Sequence, residues 1–154
     1  MLNKTLHIGI RGDVEFGENV VVVEPVNLYG CSIGDDSFIG PFVEIQKGAK
    51  VGSKTKIQSH SFICDLVSIG DGCFVGHGVM FINDLFQEGK PAGGNTKLYK
   101  RTQIGNNVSI GSNATILPVS VADGSVIAAG AVVIKDIVIK GVYVGNPAKL
   151  IKQL

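Results

Sequence analysis

The sequence predicts an all-β fold, a parallel solenoid shaped as a triangular prism, and three columns of residues predict it. Stepping by six from Ile33 meets Ile39, Ile45, Val51, Ile57, Ile63, Ile69, Val75 and Phe81, all apolar. The residue after each is often glycine: Gly34, Gly40, Gly52, Gly70 and Gly76. The fifth residue of each unit is small or β-branched, as at Ser37, Val43, Ala49, Thr55, Ser61, Val67, Cys73 and Val79. A six-residue step rotates an α-helix by about 240°, so these positions share no helix face. An ordinary alternating strand of that length has no place for the glycines. A short strand, a corner and another short strand does fit. Three units close a coil of about 18 residues, the first and fifth positions fill the bore, and hydrogen bonds run from coil to coil.

Composition is consistent with this. The chain of 154 residues suits one domain, 1–154. With 14 Lys+Arg against 13 Asp+Glu the formal charge is +1, which does not suggest a nucleic-acid or anionic-membrane binder. Only 18% of residues are charged and 45% are hydrophobic, which argues against disorder. Mean hydropathy is +0.31, yet no apolar stretch approaches the roughly 18–20 residues of a membrane span. Asn3, Lys4, His7 and Arg11 interrupt any leader-like apolar run, so a cytoplasmic protein is expected. Cys31, Cys64 and Cys73 form no CxxC pair and read as small buried hydrophobes in a reducing compartment. The 21 glycines, beside five prolines and no tryptophan, point to many tight corners.

The frame has defects. Phe16, Val22 and Leu28 keep the step, but Leu28 to Ile33 and Ile116 to Val121 are one residue short, and each slip should pinch its coil. Between Phe81 and Gln103 the repeat stops, and an excursion over about 82–102, rich in Gly and Pro, is expected. Segments of roughly twenty residues without periodicity are more often functional than idle. The frame resumes at Ile104-Gly105 and Ile110-Gly111 and continues through Ile127 and Val133. Residues 141–154 form a terminal cap, with the helix-forming residues after Pro147 expected as a short helix over the open end.

Tandem I-G-x-x-S/V/T-x units of this kind resemble those of the hexapeptide-repeat acyltransferases. The resemblance implies the hand that spacing does not give: a left-handed parallel β-helix. Ala129–Asp136 (AGAVVIKD) and Val144–Lys149 (VGNPAK) resemble the family's C-terminal segments, which border its coenzyme A site. By that resemblance the protein is a homotrimer with acetyl-CoA in the groove between adjacent prisms. Gly111 and Ala129 would let the pantetheine arm approach the backbone, Lys135 and Lys149 would face the nucleotide phosphates, and Asn146 and Pro147 would border the same site.

The stretch Gly76–Asp84 resembles a branch that N-acetylates amino groups on nucleotide-linked sugars, including dTDP-3-amino-deoxyhexose and UDP-3-amino-glucuronate acetyltransferases. There an Asn at the start of the excursion lies near the sugar amine, which carries over to Asn83. Asp84 follows as in that branch, whereas Phe86-Gln87 stands in place of Tyr-Pro. O-acetylating members carry a histidine in this loop, and no residue from Asn83 to Arg101 is histidine. Gln58, Phe81 and Arg101 complete the expected acceptor side.

His60 and His77 are outward positions 17 residues apart, almost one coil, and should share an edge of the prism. His7 lies in an irregular stretch and reads as idle. A sugar hydroxyl needs a strong base, whereas an amine partly neutral near pH 7 needs orientation, an oxyanion donor and a proton acceptor. Asn83 and Asp84 are candidates for orientation and a main-chain N–H for the oxyanion. The proton goes to His60, to His77 or directly to the leaving thiolate. The alternatives are an O-acetyltransferase, a non-catalytic scaffold, and a zinc carbonic anhydrase, for which two histidines lack a third ligand. No metal is expected.

Overall fold

In the computed structural model, which describes residues 8–154, each hexad becomes a two- or three-residue strand followed by a turn. The first coil holds β1 (Glu15–Phe16), β2 (Val21–Val22) and β3 (Asn27–Leu28). The second holds β4 (Ser32–Ile33), β5 (Phe38–Ile39) and β6 (Glu44–Ile45), and the third β7 (Lys50–Val51), β8 (Lys56–Ile57) and β9 (Phe62–Ile63). The fourth holds β10 (Val67–Ile69), β11 (Phe74–Val75) and β12 (Met80–Phe81). After the excursion come β13 (Thr102–Ile104), β14 (Ser109–Ile110) and β15 (Thr115–Ile116), then β16 (Ser120–Val121), β17 (Val126–Ile127) and β18 (Val132–Val133). The chain finishes with β19 (Gly141–Val144) and β20 (Lys149–Gln153).

Strands three apart pair in parallel and make three faces. Face one runs β1-β4-β7-β10-β13-β16, face two β2-β5-β8-β11-β14-β17-β19-β20, and face three β3-β6-β9-β12-β15-β18. This is the left-handed parallel β-helix. The bore is the column of step-six residues: Ile39, Ile45, Ile57, Ile63, Val75, Phe81, Ile104 and Ile116 are all fully buried. Small polar residues of the fifth column bond to carbonyls of the next coil, as Ser37 Oγ donates to the Gly52 carbonyl (2.9 Å) and Thr55 Oγ1 to that of Gly70 (2.9 Å). These two buried hydroxyls are thereby satisfied without breaking the stack, whereas the buried Ser125 Oγ has no partner among the described residues.

The three edges differ. Turns from face one to face two, and from face two to face three, keep the six-residue step in every coil. All irregularity falls on the edge between face three and face one. The short turns lie there, Tyr29–Cys31, Leu117–Val119 and the one between Val133 and Ile137, which bridges Val121, and so does the excursion, which leaves after Phe81 and rejoins at Thr102. The expected pinch is a shortened corner on one edge, and the parallel register of the faces continues past it.

One element differs from expectation. The residues after Pro147 are strand, not helix: β20 pairs antiparallel with β19, Gly141 opposite Gln153 and Val144 opposite Lys149. A segment this short is marginal as a helix, and it lies beside a strand whose outer main-chain groups need partners. The hairpin therefore extends face two and does not close the end of the prism. Within the excursion, the one regular element is a 3₁₀ turn over Thr96–Leu98, capped by the Asn95 side chain. His7 lies outside the described residues.

All three cysteines are free and buried. Burial pushes the Cys31 thiol up to about 11, the Cys64 thiol up to about 12, and that of Cys73 upward. A raised thiol holds its proton more tightly folded than unfolded. Its contribution to stability is complete below the unfolded value of 9.0 and is lost as pH rises towards 11 to 12. The melting temperature should therefore fall from about pH 9 upward. Iodoacetamide near neutral pH should label these thiols only after unfolding, as mass spectrometry would read, and native-state labelling would contradict this burial.

Candidate active site

The regular edge between faces two and three gathers most of the expected residues. From the second coil on its turns are Gly40–Val43, Gln58–Ser61, Gly76–Val79, Gly111–Ala114 and Ala128–Ala131, stacked one per coil. His60 and His77 lie on this edge as expected, but one position out of register: His77 stacks over Ser59, and His60 over Gly78. The Ser59 Oγ and the His77 Nδ1 are 2.9 Å apart, and the His77 main-chain N–H donates to Ser112 Oγ (3.2 Å). If Nδ1 carries the proton and donates to Ser59, the exposed Nε2 keeps its lone pair, and that atom has no partner among the described residues.

His60 is held differently. Its ring stacks on Phe42, centroids 4.8 Å apart, and makes no side-chain hydrogen bond among the described residues. It occupies the left-handed turn position, φ 64°, as Phe42 does at 62°. In the same place the other coils carry Gly78, Asn113 and Gly130, types that take this conformation more readily. Gln58 is half-buried at the start of the same turn as His60.

Above the histidines, Gly111 and Ala129 lie on the same edge. A Cβ built on Gly111 would run into the Ala129 backbone nitrogen, so the stacking of coils alone requires glycine there. Ser112 and Ala129 have main-chain N–H groups without an acceptor among the described residues. On the neighbouring edge the corresponding donors are satisfied by a ladder of acids and amides: Ser53 N–H donates to Asp71, Asp71 N–H to Asn106, and Asn106 N–H to Asp123, at 2.8, 2.9 and 2.8 Å. On the histidine edge no such ladder reaches Ser112 or Ala129, and their main-chain donors stay open among the described residues.

Asn146 and Pro147 form the exposed turn between β19 and β20. Val132 N–H donates to the Gly145 carbonyl (3.0 Å), and Ala148 N–H to that of Val132 (2.8 Å), which clamps the turn just past Ala129. Lys149 follows, exposed. Lys135 is also exposed but sits in the turn after β18, on the irregular edge and a face away.

Asn83 and Asp84 also lie on that irregular edge. Asn83 Nδ2 donates to the Asp65 carbonyl (3.1 Å), and the Asn83 carbonyl accepts from Lys100 N–H (2.9 Å), closing the neck of the excursion. Both Asp84 carboxylate oxygens accept main-chain N–H groups inside the loop, from Phe86 (2.9 Å) and Ala92 (2.7 Å). Asn83 Oδ1 has no hydrogen-bond partner among the described residues, whereas both Asp84 oxygens are used in shaping the loop. His77 and Asn83 lie on different edges of the prism with the strand Met80–Phe81 of face three between them, so one prism does not bring them to the same reacting atom. Arg101 is exposed where the excursion returns. Phe81 is fully buried in the bore, and a substrate-binding role for it is excluded. Its place in the step-six column was the physical reason to expect that.

Ser59, Ser112 and Phe42 are the residues that sequence reasoning missed. Ser59 lies 18 residues before His77, one coil, and that offset was readable. Ser112 lies 35 residues after it, because the excursion intervenes.

Comparison with known proteins agrees with the fold. The family described as "Hexapeptide repeat of succinyl-transferase" matches residues 101–135, and "Bacterial transferase hexapeptide (six repeats)" matches residues 30–65. The bifunctional protein GlmU of Streptococcus uberis is 28% identical over 159 residues, covering 92% of this chain and 32% of that protein. This chain therefore spans about a third of the length of the curated relatives it matches. A variant of AntD, an N-acyltransferase from Bacillus cereus in complex with dTDP and coenzyme A, superposes with TM-score 0.79 at 21% identity, covering 90% of this chain and 83% of that one. The polySia specific acetyltransferase NeuO superposes with TM-score 0.55 at 27% identity, covering 91% and 70%. Over these two stretches the chain carries the repeat of the hexapeptide transferases.

Proposed function

We propose that the protein is an acetyl-CoA-dependent N-acetyltransferase acting on the amine of a nucleotide-linked sugar, as a cytoplasmic homotrimer. The observation that carries this reading is the histidine edge: His77 held by Ser59, and unsatisfied N–H groups at Ser112 and Ala129 beneath the Asn146-Pro147 turn. A thioester laid along this edge meets a base and oxyanion donors in sequence. The amine attacks the thioester carbonyl and the C–N bond forms. The main-chain N–H groups hold the oxyanion. The C–S bond then breaks, and the amine proton passes through His77 Nε2 to the departing coenzyme A thiolate.

The placement of His77 and Asn83 on different edges supports the trimer: the excursion of one prism would supply Asn83 Oδ1 to the histidine edge of another. Three unpaired buried thiols suit a reducing compartment. No helix among the described residues is long and apolar enough to cross a membrane.

A hydroxyl acceptor is the second reading, favoured by the hydrogen-bonded His77, which is the kind of base an alcohol needs. Thiol release from acetyl-CoA across a panel of nucleotide-linked amino sugars and hydroxyl acceptors separates the two. Turnover on amines is expected, and brisk turnover on hydroxyls with none on amines would overturn the first reading. Coenzyme A should raise the melting temperature, and its failure to do so at millimolar concentration would favour a scaffold. Asn83→Ala should lower turnover about tenfold or more, and wild-type kinetics in that variant would remove Asn83 from the site.

A further inference from the structure

The return limb of the excursion roofs two hollows that meet at Gly48. One, of about 480 Å³, is lined by Tyr29, Tyr99, Asp65, Lys47 and Thr96 on the face-three side. The other, of about 240 Å³, is lined by Lys50, Arg101, Ser68 and Gln103 on face one. Their chemistry differs. The first offers two aromatic rings, the Asp65 carboxylate, the Lys47 ammonium and the Gln46 amide, and the Arg11 guanidinium 4.8 Å from the Tyr29 ring centre covers one face of that ring. The second offers two cations, a hydroxyl and an amide, with no carboxylate in its lining.

Gly48 is the saddle between them. Its φ is +86°, and a Cβ there would meet Asp65 Oδ1 at 2.5 Å. A side chain would crowd the passage, and glycine keeps it open. The Asn83 amide bonds the Asp65 carbonyl, so the aromatic hollow adjoins the neck that holds Asn83.

We propose that this cleft is the acceptor site for a diphosphate-linked amino sugar. The sugar ring lies against Tyr29 and Tyr99 with its amine towards Asp65 and Asn83, and the diphosphate crosses Gly48 onto Lys50 and Arg101. Apolar sugar faces stack on tyrosine rings, and a planar guanidinium with a neighbouring ammonium suits paired phosphates. This inference rests on the acyltransferase reading and adds the location and chemistry of its acceptor.

The test is calorimetric titration of the full chain without coenzyme A, using dTDP, UDP and a dTDP-linked amino-deoxyhexose. Lys50→Ala and Arg101→Ala should each weaken all three ligands about tenfold, and binding should weaken as salt rises. Tyr99→Ala should weaken only the sugar-bearing ligand, with Tyr99→Phe binding like wild type. Lys56→Ala, an exposed lysine of face two, serves as the control, and unchanged melting temperatures establish that the variants fold. Absence of dTDP and UDP binding, or affinity unchanged in Lys50→Ala and Arg101→Ala, overturns the cleft. If coenzyme A still raises the melting temperature and amines are still acetylated, the acyltransferase reading survives that failure. Loss of dTDP binding in Tyr99→Ala would place the base, not the sugar, on the tyrosines and overturn the stated orientation.

Discussion

Replacing His77 by alanine is expected to lower kcat by about 10²–10⁴-fold while the melting-temperature rise on adding coenzyme A stays intact. The imidazole is exposed and contributes no core packing. What it contributes is a ring nitrogen whose orientation is set from both neighbouring coils. Ser59 Oγ meets Nδ1 from one side, and Ser112 Oγ takes the residue's own N–H from the other. Ser59→Ala leaves the imidazole in place but lets it rotate, so a smaller loss, about tenfold, is expected in kcat with little change in KM. His60→Ala should cost less still: its ring stacks on Phe42 and its backbone already sits in an unfavourable conformation. Undiminished kcat in His77→Ala would hand the amine proton directly to the thiolate and remove His77 from the chemistry. Matching losses in His60→Ala and His77→Ala would mean that the Phe42-stacked ring shares the proton.

The contrast between those histidines marks where sequence reading ended. The bore was legible because a step of six is a local pattern, and every residue it selected from Ile33 to Phe81 points inward. That the two histidines share an edge was legible for the same reason. Which one is held in a hydrogen bond was not, since it depends on a one-residue offset between a 17- and an 18-residue coil. The tail was misread as helix because propensity ignores the open strand edge beside it. Asn83 and the histidines were grouped in one site because a linear sequence does not reveal that one face of the prism separates them. The shortened corners and the excursion were each visible. Their coincidence on a single edge emerged only once the coils were stacked.

That stacking makes Gly111→Ala the substitution with the largest expected effect on stability among the glycines of the histidine edge. The new Cβ would overlap the Ala129 backbone nitrogen, with the Ala128 carbonyl carbon 2.8 Å away, and neither is the end of a flexible side chain. The upper coil must lift, which should cost about 1–3 kcal/mol and displace the Ala129 N–H from its place on the edge. Gly130 provides the comparison. A Cβ there meets nothing within 4 Å, but φ is +69°, so alanine should cost about 1–2 kcal/mol through the backbone alone. Asparagine discriminates between the two mechanisms. At Gly130 it should be nearly neutral, because Asn113 holds the same turn position one coil below at φ 59°. At Gly111 it should be at least as damaging as alanine, because the obstacle is steric. Denaturant unfolding of the four variants reads the difference directly. Equal losses for Gly111→Asn and Gly130→Asn would mean that the coils do not pack as closely as described. If Gly111→Ala also abolishes coenzyme A binding, the loss follows from the displaced Ala129 and does not by itself place the pantetheine arm against Gly111.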